Sequence, residues 1–453
     1  MKRNIAIIGG GISGLCVAYW LKKEGFEVRL FERSDRVGGV ITSERSDGFL
    51  FDMGPNSALE TSEVLKSLVR DLELEDQKVY GNEASGKRYI LRNGELAPVP
   101  TSPLAFIRSG LFSWKAKLRL LKEPFLKPTS GEDIALADFV RYRLGQEFLD
   151  YAINPFVAGV YAGDPQYLST ATGFPKLYAL EQKYGSLIKG TVQGARERKK
   201  RKEVAKNRAR MFSFTDGMQV LTDALAANLK QEIHTNVVVN RLSEQDGRYQ
   251  LEVSRNGGSQ ALSFDHVVVC VPTFAMKDLL SPVASPEELQ LLSDVYYPPV
   301  SVVFTGFRKE AVPRELDGFG FLVPEVENRS ILGSLWSSSI FPGRAPEGHV
   351  AFTSFVGGAR QPDNALLPDD DLTRLVFEEL KDILNIREKP VFVRVKKWKR
   401  AIPQYRMGYQ GIQGLLGDLE NRFPGLYFAG NYRRGISVGD SVLSAFDVVG
   451  KIQ

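Results

Sequence analysis

The stretch that decides the fold is IAIIGGGISG, residues 5–14, near the start of the chain. Its four apolar residues predict one buried strand, and the apolar residues that follow Gly14 at helical spacing predict a helix that Gly25 ends. A second apolar run, VRLF at 28–31, leads directly to Glu32. This order predicts a strand–turn–helix–strand unit with the pattern G-x-G-x-x-G at its first turn, which is typical of dinucleotide-binding folds.

The residues of this turn have distinct tasks. Gly9 makes the tight turn, Gly11 lets the backbone approach a pyrophosphate, and Gly14 lets helix and strand pack closely. The first turn of the helix offers free N–H groups and a partial positive charge to phosphates. Cofactor contacts are therefore expected from Gly9, Gly10, Gly11, Ile12, Ser13 and Gly14. Glu32 follows Gly14 by 18 residues, where a carboxylate can accept hydrogen bonds from ribose hydroxyls.

A second glycine pair decides which dinucleotide is bound. The sequence from Glu32 to Thr42 reads E-x-x-x-R-x-G-G-x-x-T, which adds Arg36 and Gly39 to the expected cofactor contacts. A dehydrogenase that uses only nicotinamide needs no second pair, whereas a cofactor that extends along the protein needs backbone close to its phosphate and ribityl oxygens. The stretch therefore predicts FAD. A glycine–proline turn with backbone N–H groups suited to phosphates adds Gly54, Pro55, Asn56 and Ser57.

Composition excludes several classes of function. With 453 residues the chain has room for two or three domains. Its net charge of +5 does not indicate a nucleic-acid partner, and its three histidines are too far apart in sequence to predict a metal site. The first strand follows Arg3 directly, and no apolar run reaches the ~18 residues that a membrane span needs. We therefore expect no signal peptide, no spanning helix and a cytoplasmic location.

The chain divides by its structural signals into an α/β protein with one helical part. We predict a Rossmann-like FAD-binding domain assembled from three separated segments, 1–75, 211–285 and 396–453. An α+β substrate domain is expected from 76–98 and 286–395. Between these, strand signals vanish and helical stretches dominate, which predicts a helical insert over 99–210.

Two stretches of the insert allow more than one interpretation. Leu104–Phe125 mixes large apolar residues with Lys and Arg, so it is either a helical subdomain that packs on the core or an interfacial segment that contacts a membrane. The first interpretation is favoured. Arg196–Arg210 is a basic run that favours a solvated helix or loop over a lipid- or nucleic-acid-binding patch. It lacks the interleaved aromatic residues that single-stranded nucleic acid would require.

Several motifs resemble one family of flavoproteins. The start of the chain resembles that of the FAD-binding amine oxidase superfamily. Within it, NPFVAGVYAGDP at 154–165 resembles the signature of the oxygen-dependent, FAD-containing protoporphyrinogen oxidase family. Four further stretches resemble that family too: GFGFLVP at 318–324, FPGRAP at 341–346, FVGG at 355–358 and IPQY at 402–405. The resemblance spans nearly the whole chain.

This resemblance implies roles for individual residues. Arg88 stands where the family pairs an arginine with a propionate of the tetrapyrrole, and Gly159 stands where a backbone carbonyl meets the pyrrole N–H groups. The apolar positions that sandwich the macrocycle match Phe319, Leu322 and Phe355. A backbone amide that meets the adenine aligns with Val239. Further cofactor contacts are expected at Trp398 and at the turn before the last helix, Ile436, Ser437 and Val438.

The family also implies a reaction. It is the six-electron oxidation of a porphyrinogen, either protoporphyrinogen IX or coproporphyrinogen III, to the porphyrin in haem biosynthesis, with molecular oxygen as acceptor. A flavin that removes hydride needs no protein nucleophile, so we nominate no catalytic acid or base. The sequence leaves open whether the chain forms a homodimer.

Two other functions compete with this one. A flavin amine or polyamine oxidase is the alternative, although such enzymes typically carry glutamate after the last Phe-Ala-Gly, where this chain has Asn431. No cysteine follows Cys270, so we expect FAD to be bound non-covalently. A flavin-fold binding or scaffolding protein is the third possibility, and the complete set of Gly9, Gly11, Gly14 and Glu32 argues against it.

Overall fold

Five parallel strands form the sheet that holds the glycine-rich turn. The structure is a computed structural model that describes residues 3–129, 133–201 and 209–452, without the side chains of 195–201. In spatial order the parallel strands are Ile233–His234, Glu27–Phe31, Asn4–Ile8, His266–Val269 and Leu426–Phe428. They come from three stretches that are far apart in sequence, and the predicted α/β class with a Rossmann-like unit is confirmed.

Alternate residues of the central strand serve two different cores. Ile5 and Ile7 pack against helices, whereas Ala6 and Ile8 face an antiparallel sheet, because successive side chains of a strand point to opposite faces. The helices are Ile12–Lys23, Glu63–Asp71, Gln219–Asn228 and Val438–Ile452. The antiparallel sheet consists of Val238–Gln245, Arg248–Arg255 and Gly258–Phe264. Beside it lie the helices Met276–Leu279, Pro286–Ser293 and Tyr409–Arg422.

A mixed sheet of seven strands forms the second large layer. Its strands in spatial order are Phe392–Trp398, Val300–Arg308, His349–Gly357, Ile331–Leu335, Gly318–Leu322, Lys87–Arg92 and Glu95–Pro98. An Asn-Gly turn joins the last two strands, and Asn93 and Gly94 both have positive φ there. The helix Asp369–Leu384 packs on this sheet. The predicted domain limits stay predictions. The strand Phe392–Trp398 crosses the predicted limit between residues 395 and 396.

Two small sheets connect these layers. One pairs Ser43–Ser46 with Phe49–Asp52. The other, which we call the linking sheet, has the order Ala58–Leu59, Met211–Phe214 and Lys78–Tyr80. It joins residues from both sides of the helical insert, because Lys78–Tyr80 precedes the insert and Met211–Phe214 follows it.

The described residues from Val99 to Arg201 form helices and turns. The α-helices are Pro103–Arg108, Trp114–Arg119, Leu136–Arg143, Gln146–Phe148, Asn154–Tyr161, Thr170–Gly173, Pro175–Tyr184 and Leu187–Arg201, with a 3₁₀ turn at Leu120–Phe125 and a π-helix at Leu149–Ile153. Arg143 is fully buried between the carboxylates of Glu123 and Glu181. None of the helices in the three described ranges has the length and apolar composition needed to cross a membrane. Most of the basic run Arg196–Arg210 lies outside the residues whose side chains are described.

One buried ion pair joins the strand Phe49–Asp52 to the loop before His349–Gly357. Asp52 Oδ2 lies 2.7 Å from Arg344 Nη1, and the two side chains are only 2% and 3% exposed. Asp52 Oδ1 also accepts hydrogen bonds from the Met218 N–H at 2.9 Å and the Ser43 hydroxyl at 2.5 Å. Arg344 Nη2 donates to Ser213 Oγ at 2.7 Å. Burial raises the pKa of Asp52, while Arg344 and these donors oppose that rise.

Removing one partner of this pair should destabilise the whole fold. We expect Arg344→Met to lower the free energy of unfolding by about 3–5 kcal/mol, because Asp52 would remain as an uncompensated buried charge. The control is Arg374→Met, whose side chain is 74% exposed beside Asp371 and whose loss should cost less than about 1 kcal/mol. Urea unfolding of both variants measures the difference. Equal effects would show that the buried pair does not hold the fold together.

Candidate cofactor and substrate site

The glycine-rich turn combines one crowded position with one open position. A Cβ atom added at Gly14 would lie 1.9 Å from the Gly9 carbonyl oxygen, whereas one added at Gly11 would meet nothing within 4 Å. Gly11 caps the helix Ile12–Lys23 without any side-chain hydrogen bond, and the first turn carries no acidic residue. The helix N-terminus therefore presents free N–H groups beside open space, which suits a phosphate.

Glu32 is held at the end of its strand with acceptor capacity to spare. Its Oε2 accepts the Gly10 N–H at 2.8 Å, and its Oε1 accepts the Ser34 N–H at 2.9 Å. A carboxylate offers about four lone-pair sites, so two remain for ribose hydroxyls. The Glu32 carbonyl accepts the Val237 N–H at 3.0 Å, so the Val237 amide is not available to the cofactor. The adenine contact expected at Val239, two residues further along, stays a prediction.

The second glycine pair lies directly against the first turn. The Gly38 N–H donates to the Gly10 carbonyl at 2.7 Å, and a Cβ added at Gly39 would lie 3.2 Å from the Gly11 Cα. Arg36 braces this loop through Nη2, which donates to the Gly39 carbonyl at 2.9 Å and to Thr42 Oγ1 at 2.5 Å. The guanidinium thus shapes the loop, and a direct contact between Arg36 and the cofactor stays a prediction.

The glycine–proline turn is packed as closely as the first turn. A Cβ added at Gly54 would lie 1.9 Å from the Val40 carbonyl oxygen. The Trp398 indole N–H donates to the Met53 carbonyl at 2.6 Å, so this side chain supports the turn from the seven-stranded sheet. Ser57 Oγ donates to Asn56 Oδ1 at 3.0 Å. Whether Pro55, Asn56, Ser57 and Trp398 themselves touch the cofactor stays a prediction.

The last helix brings a second N-terminus to the same place. Ser13 Oγ donates to the Ser441 carbonyl at 3.1 Å, so the first turns of the helices Ile12–Lys23 and Val438–Ile452 lie side by side. Ser437 Oγ accepts the Asp440 N–H at 3.0 Å and caps the second of these helices. The residues expected around the cofactor at both ends of the chain therefore meet, and Ile436 and Val438 flank that cap.

Three of the expected substrate residues also meet. A Cβ added at Gly159 would lie 2.2 Å from Leu322 Cδ2, so the helix Asn154–Tyr161 rests directly on Leu322. Leu322 pairs in register with Gly333, and Gly333 pairs with Phe355 on the next strand. Leu322 and Phe355 are both half-buried. Three distant segments of the chain therefore build one apolar wall.

A β-bulge places Phe319 on the same side of the sheet as Leu322. The register between Gly318–Leu322 and Lys87–Arg92 shifts between Gly318 and Gly320. Strict alternation would separate residues 319 and 322, but the extra residue of a bulge restores them to one face. Consistent with this, Phe321 is buried in the core while Phe319 and Leu322 are half-buried. The sequence gives no signal for the bulge beyond its glycines.

The Gly159 carbonyl lacks its usual helical partner. In a regular helix it would accept the Gly163 N–H, but that group donates to the Val157 carbonyl at 3.2 Å. Ala162, in the left-handed conformation, ends the helix. The carbonyl that the family resemblance assigns to pyrrole N–H groups is therefore one of the free carbonyls at a helix C-terminus.

Sequence reasoning missed the polar cluster that fixes this helix. Asn154 Oδ1 accepts Arg360 Nη1 at 2.8 Å and the Glu325 N–H at 3.0 Å, while Nδ2 donates to Glu325 Oε2 at 2.9 Å. Burial lowers the pKa of Arg360 and raises that of nearby Asp164. The π-helix Leu149–Ile153 sets the start of the helix and was equally unforeseen. The one sequence signal for the cluster is Asn154 itself, a polar residue directly before Pro155 in an otherwise apolar stretch.

Arg88 is exposed and stands free to bind an anion. Its guanidinium carbon lies 5.5 Å from the centre of the Phe319 ring, and within the described part of the chain no carboxylate pairs with it. The neighbouring Lys87 is already paired with Asp317. Within the described ranges, His, Cys, Asp and Glu side chains form no group of three that could hold a metal ion.

Comparison with known proteins identifies similar chains over the full length. Residues 12–452 match the model of the family described as flavin containing amine oxidoreductase. Protoporphyrinogen oxidase 2, chloroplastic/mitochondrial, of Arabidopsis thaliana is 34% identical over 98% of this chain and 92% of its own. Coproporphyrinogen III oxidase of Bacillus subtilis is 33% identical over 97% of this chain and 96% of its own. The crystal structure of a candidate protoporphyrinogen oxidase from Exiguobacterium covers 100% of this chain with a TM-score of 0.84 and 26% identity.

Glu32 gives the direct test of the cofactor site. We expect Glu32→Ala to weaken FAD binding roughly ten- to hundred-fold, because buried ribose hydroxyls would lose a partner worth about 1–3 kcal/mol. Titration of the apoprotein with FAD, followed by flavin fluorescence, measures the dissociation constant. The control is Glu24→Ala, which removes an exposed carboxylate from the end of the first helix. A Glu32 variant that binds FAD as tightly as the control would remove Glu32 from the site.

Proposed function

The chain belongs to the flavin containing amine oxidoreductase family, and on that premise we propose that it oxidises a porphyrinogen to a porphyrin with non-covalently bound FAD. The substrate is protoporphyrinogen IX or coproporphyrinogen III, and the reaction belongs to haem biosynthesis. Relatives named protoporphyrinogen oxidase and coproporphyrinogen III oxidase, similar over nearly the whole chain, support this assignment.

The observation that carries the proposal is an apolar wall with an exposed cation, Arg88, at its edge. Gly159 contacts Leu322, and Leu322 is joined to Phe355 through Gly333, with which each of them pairs in register. The Arg88 guanidinium lies over the ring of Phe319 on the neighbouring strand. A large flat apolar substrate with carboxylate arms needs such faces and a few polar anchors. A guanidinium suits a carboxylate because it stays charged and donates two parallel hydrogen bonds.

The residues around the two glycine turns fit FAD. Open space at Gly11 beside two helix N-termini suits the pyrophosphate, and the spare lone pairs of Glu32 suit the adenosine ribose. Cys16 is buried and Cys270 is partly buried. Desolvation raises the pKa of each thiol, so neither readily offers a thiolate for a covalent link. When bound, FAD supplies the two-electron oxidation that the protein side chains themselves cannot supply.

The chain's own residues would hold the substrate and exclude water. The Gly159 carbonyl would accept a pyrrole N–H, and the apolar wall would keep the macrocycle flat and dry. Aromatisation removes six electrons and six protons, so three molecules of oxygen are reduced to hydrogen peroxide per porphyrin. We assign no side chain as acid or base.

We further propose that the helical insert makes peripheral contact with a membrane from the cytoplasmic side. Its first helices expose large apolar side chains, with Phe125 reaching 85% exposure. The others are Leu104, Ile107, Trp114, Leu118 and Leu121. Trp114 and Leu118 lie four residues apart on the helix Trp114–Arg119, and Leu121 and Phe125 are exposed on the 3₁₀ turn that follows it. This supports an interfacial segment.

The cations of this segment divide into two groups. Lys117 Nζ donates to the carbonyls of Ile107 and Ser109, both at 2.8 Å. Arg119 donates to the Arg141 carbonyl at 3.0 Å. These two therefore brace the insert, whereas Lys115 and Lys122 are exposed and remain available to anionic headgroups.

Arg88 provides the test of substrate binding. We expect Arg88→Ala to raise the Michaelis constant for a porphyrinogen roughly ten- to hundred-fold, because a charge-assisted pair worth about 1.5–3 kcal/mol is lost. The turnover number should change little, since the contact is made in ground and transition states alike. Porphyrin fluorescence during steady-state turnover measures both constants.

The matched control for Arg88 is its neighbour on the same strand. Lys87→Ala also removes one positive charge, but Lys87 is already paired with Asp317. The Michaelis constant of this variant should therefore stay within about twofold of that of the parent. If Arg88→Ala and Lys87→Ala behave alike, Arg88 is not the anchor. If the parent protein oxidises amines and not porphyrinogens, the proposed function itself is wrong.

Liposome binding tests the membrane contact. We expect Leu121→Ser with Phe125→Ser, and separately Lys115→Gln with Lys122→Gln, to weaken co-sedimentation with anionic liposomes, and salt to weaken it further. Leu366→Ser serves as control because Leu366 is similarly exposed outside the insert. If the parent protein stays in the supernatant at low salt, the membrane proposal fails and the Arg88 proposal is unaffected.

A further inference from the structure

A cavity of about 200 Å³ opens beside Arg88 and is also lined by Arg210, whose guanidinium forms no ion pair within the described residues. Arg88 and Phe319 line it from the seven-stranded sheet. Tyr80, the end of one strand of the linking sheet, and Arg210, which directly precedes another, also line it. Two layers of the fold therefore each bring one arginine and one aromatic ring to the same small space.

Both guanidinium groups are held by aromatic rings. The guanidinium carbon of Arg210 lies 3.4 Å from the centre of the Tyr80 ring, as that of Arg88 lies 5.5 Å from Phe319. Stacking on a ring leaves the N–H edges of the guanidinium open to a planar anion. The backbone at Arg210 is fixed as well, because its carbonyl accepts the Glu60 N–H at 3.0 Å.

The carboxylates near this cavity do not neutralise both arginines. Glu60 Oε1 accepts hydrogen bonds from Lys78 Nζ and from the Tyr80 hydroxyl, each at 2.9 Å. Lys78 also pairs with Glu75 at 2.8 Å. Glu83 is the acidic residue among those that line the cavity, and it forms no ion pair within the described residues. Two guanidinium groups against one carboxylate leave the cavity positively charged.

We propose that Arg210 is a second carboxylate anchor and that this cavity receives two propionates carried by neighbouring pyrrole rings, one on each guanidinium. This inference rests on the proposed function. The volume is suited to two short arms on one edge of a macrocycle and is too small to reach arms on opposite edges. Protoporphyrinogen IX and coproporphyrinogen III share such a neighbouring pair, so Arg210 should bind both substrates and should not discriminate between them.

The test combines two arginine variants with two substrates. Arg210→Gln should raise the Michaelis constant about tenfold for both porphyrinogens, equivalent to about 1.4 kcal/mol. In the double variant with Arg88→Ala the two increases should multiply, because each substitution removes the partner of a different substrate carboxylate. Arg210→Lys should recover only part of the loss, since the positive charge is kept but the planar guanidinium that stacks on Tyr80 is not. The control is Arg255→Gln, which removes an exposed guanidinium on the antiparallel sheet and should leave the constant within about twofold.

Product binding separates this inference from the proposed function. Arg210→Gln should weaken binding of protoporphyrin IX, measured by fluorescence, and should leave binding of its dimethyl ester unchanged, because the ester carries no carboxylate. An unchanged affinity for the free acid, or an increase in Michaelis constant confined to coproporphyrinogen III, overturns the second anchor. A parent protein that oxidises neither porphyrinogen overturns the proposed function instead.

Discussion

The buried ion pair between Asp52 and Arg344 joins the strand before the Gly54 turn to the seven-stranded sheet, and the position of that turn depends on it. Taking both charges out of water is costly, and the pair is tolerated because Met218, Ser43 and Ser213 supply further hydrogen bonds to it. Asp52 stands just before the turn at Gly54, and Arg344 stands just before the strand that carries Phe355. The pair therefore fixes the turn at Gly54 relative to the strand that carries Phe355.

The two halves of the site differ in how they are held. In the proposed cofactor half the backbone is packed so tightly that a Cβ added at Gly14 or at Gly54 would lie 1.9 Å from a carbonyl oxygen. The proposed substrate half consists of half-buried apolar side chains and of two guanidinium groups that lie over aromatic rings and pair with no acid within the described residues. Rigid N–H groups suit a cofactor that stays bound, and exposed cations beside an apolar wall suit a substrate that must enter and leave.

The local sequence pattern was sufficient to predict much of the fold. It could not predict which distant segments meet in the folded chain. The glycine turn and the strand–turn–helix–strand unit around it follow from short-range chemistry. The cluster of Asn154, Glu325 and Arg360 does not, because its members come from three segments with no shared periodicity. The family resemblance supplied Arg88, Gly159 and Leu322, yet only the structure reveals that Gly159 rests on Leu322. Lys117 and Arg119 look like surface cations in sequence, although they brace the insert.

Anaerobic reduction of the bound flavin is the measurement that tests the central claim most directly. Purified, FAD-loaded protein would be mixed without oxygen with protoporphyrinogen IX, with coproporphyrinogen III or with putrescine, and the absorbance of the oxidised flavin would be followed. We predict that at least one porphyrinogen bleaches the flavin and yields the porphyrin once oxygen is admitted, while putrescine has no effect. Bleaching by putrescine alone, or by none of the three, would contradict the assignment.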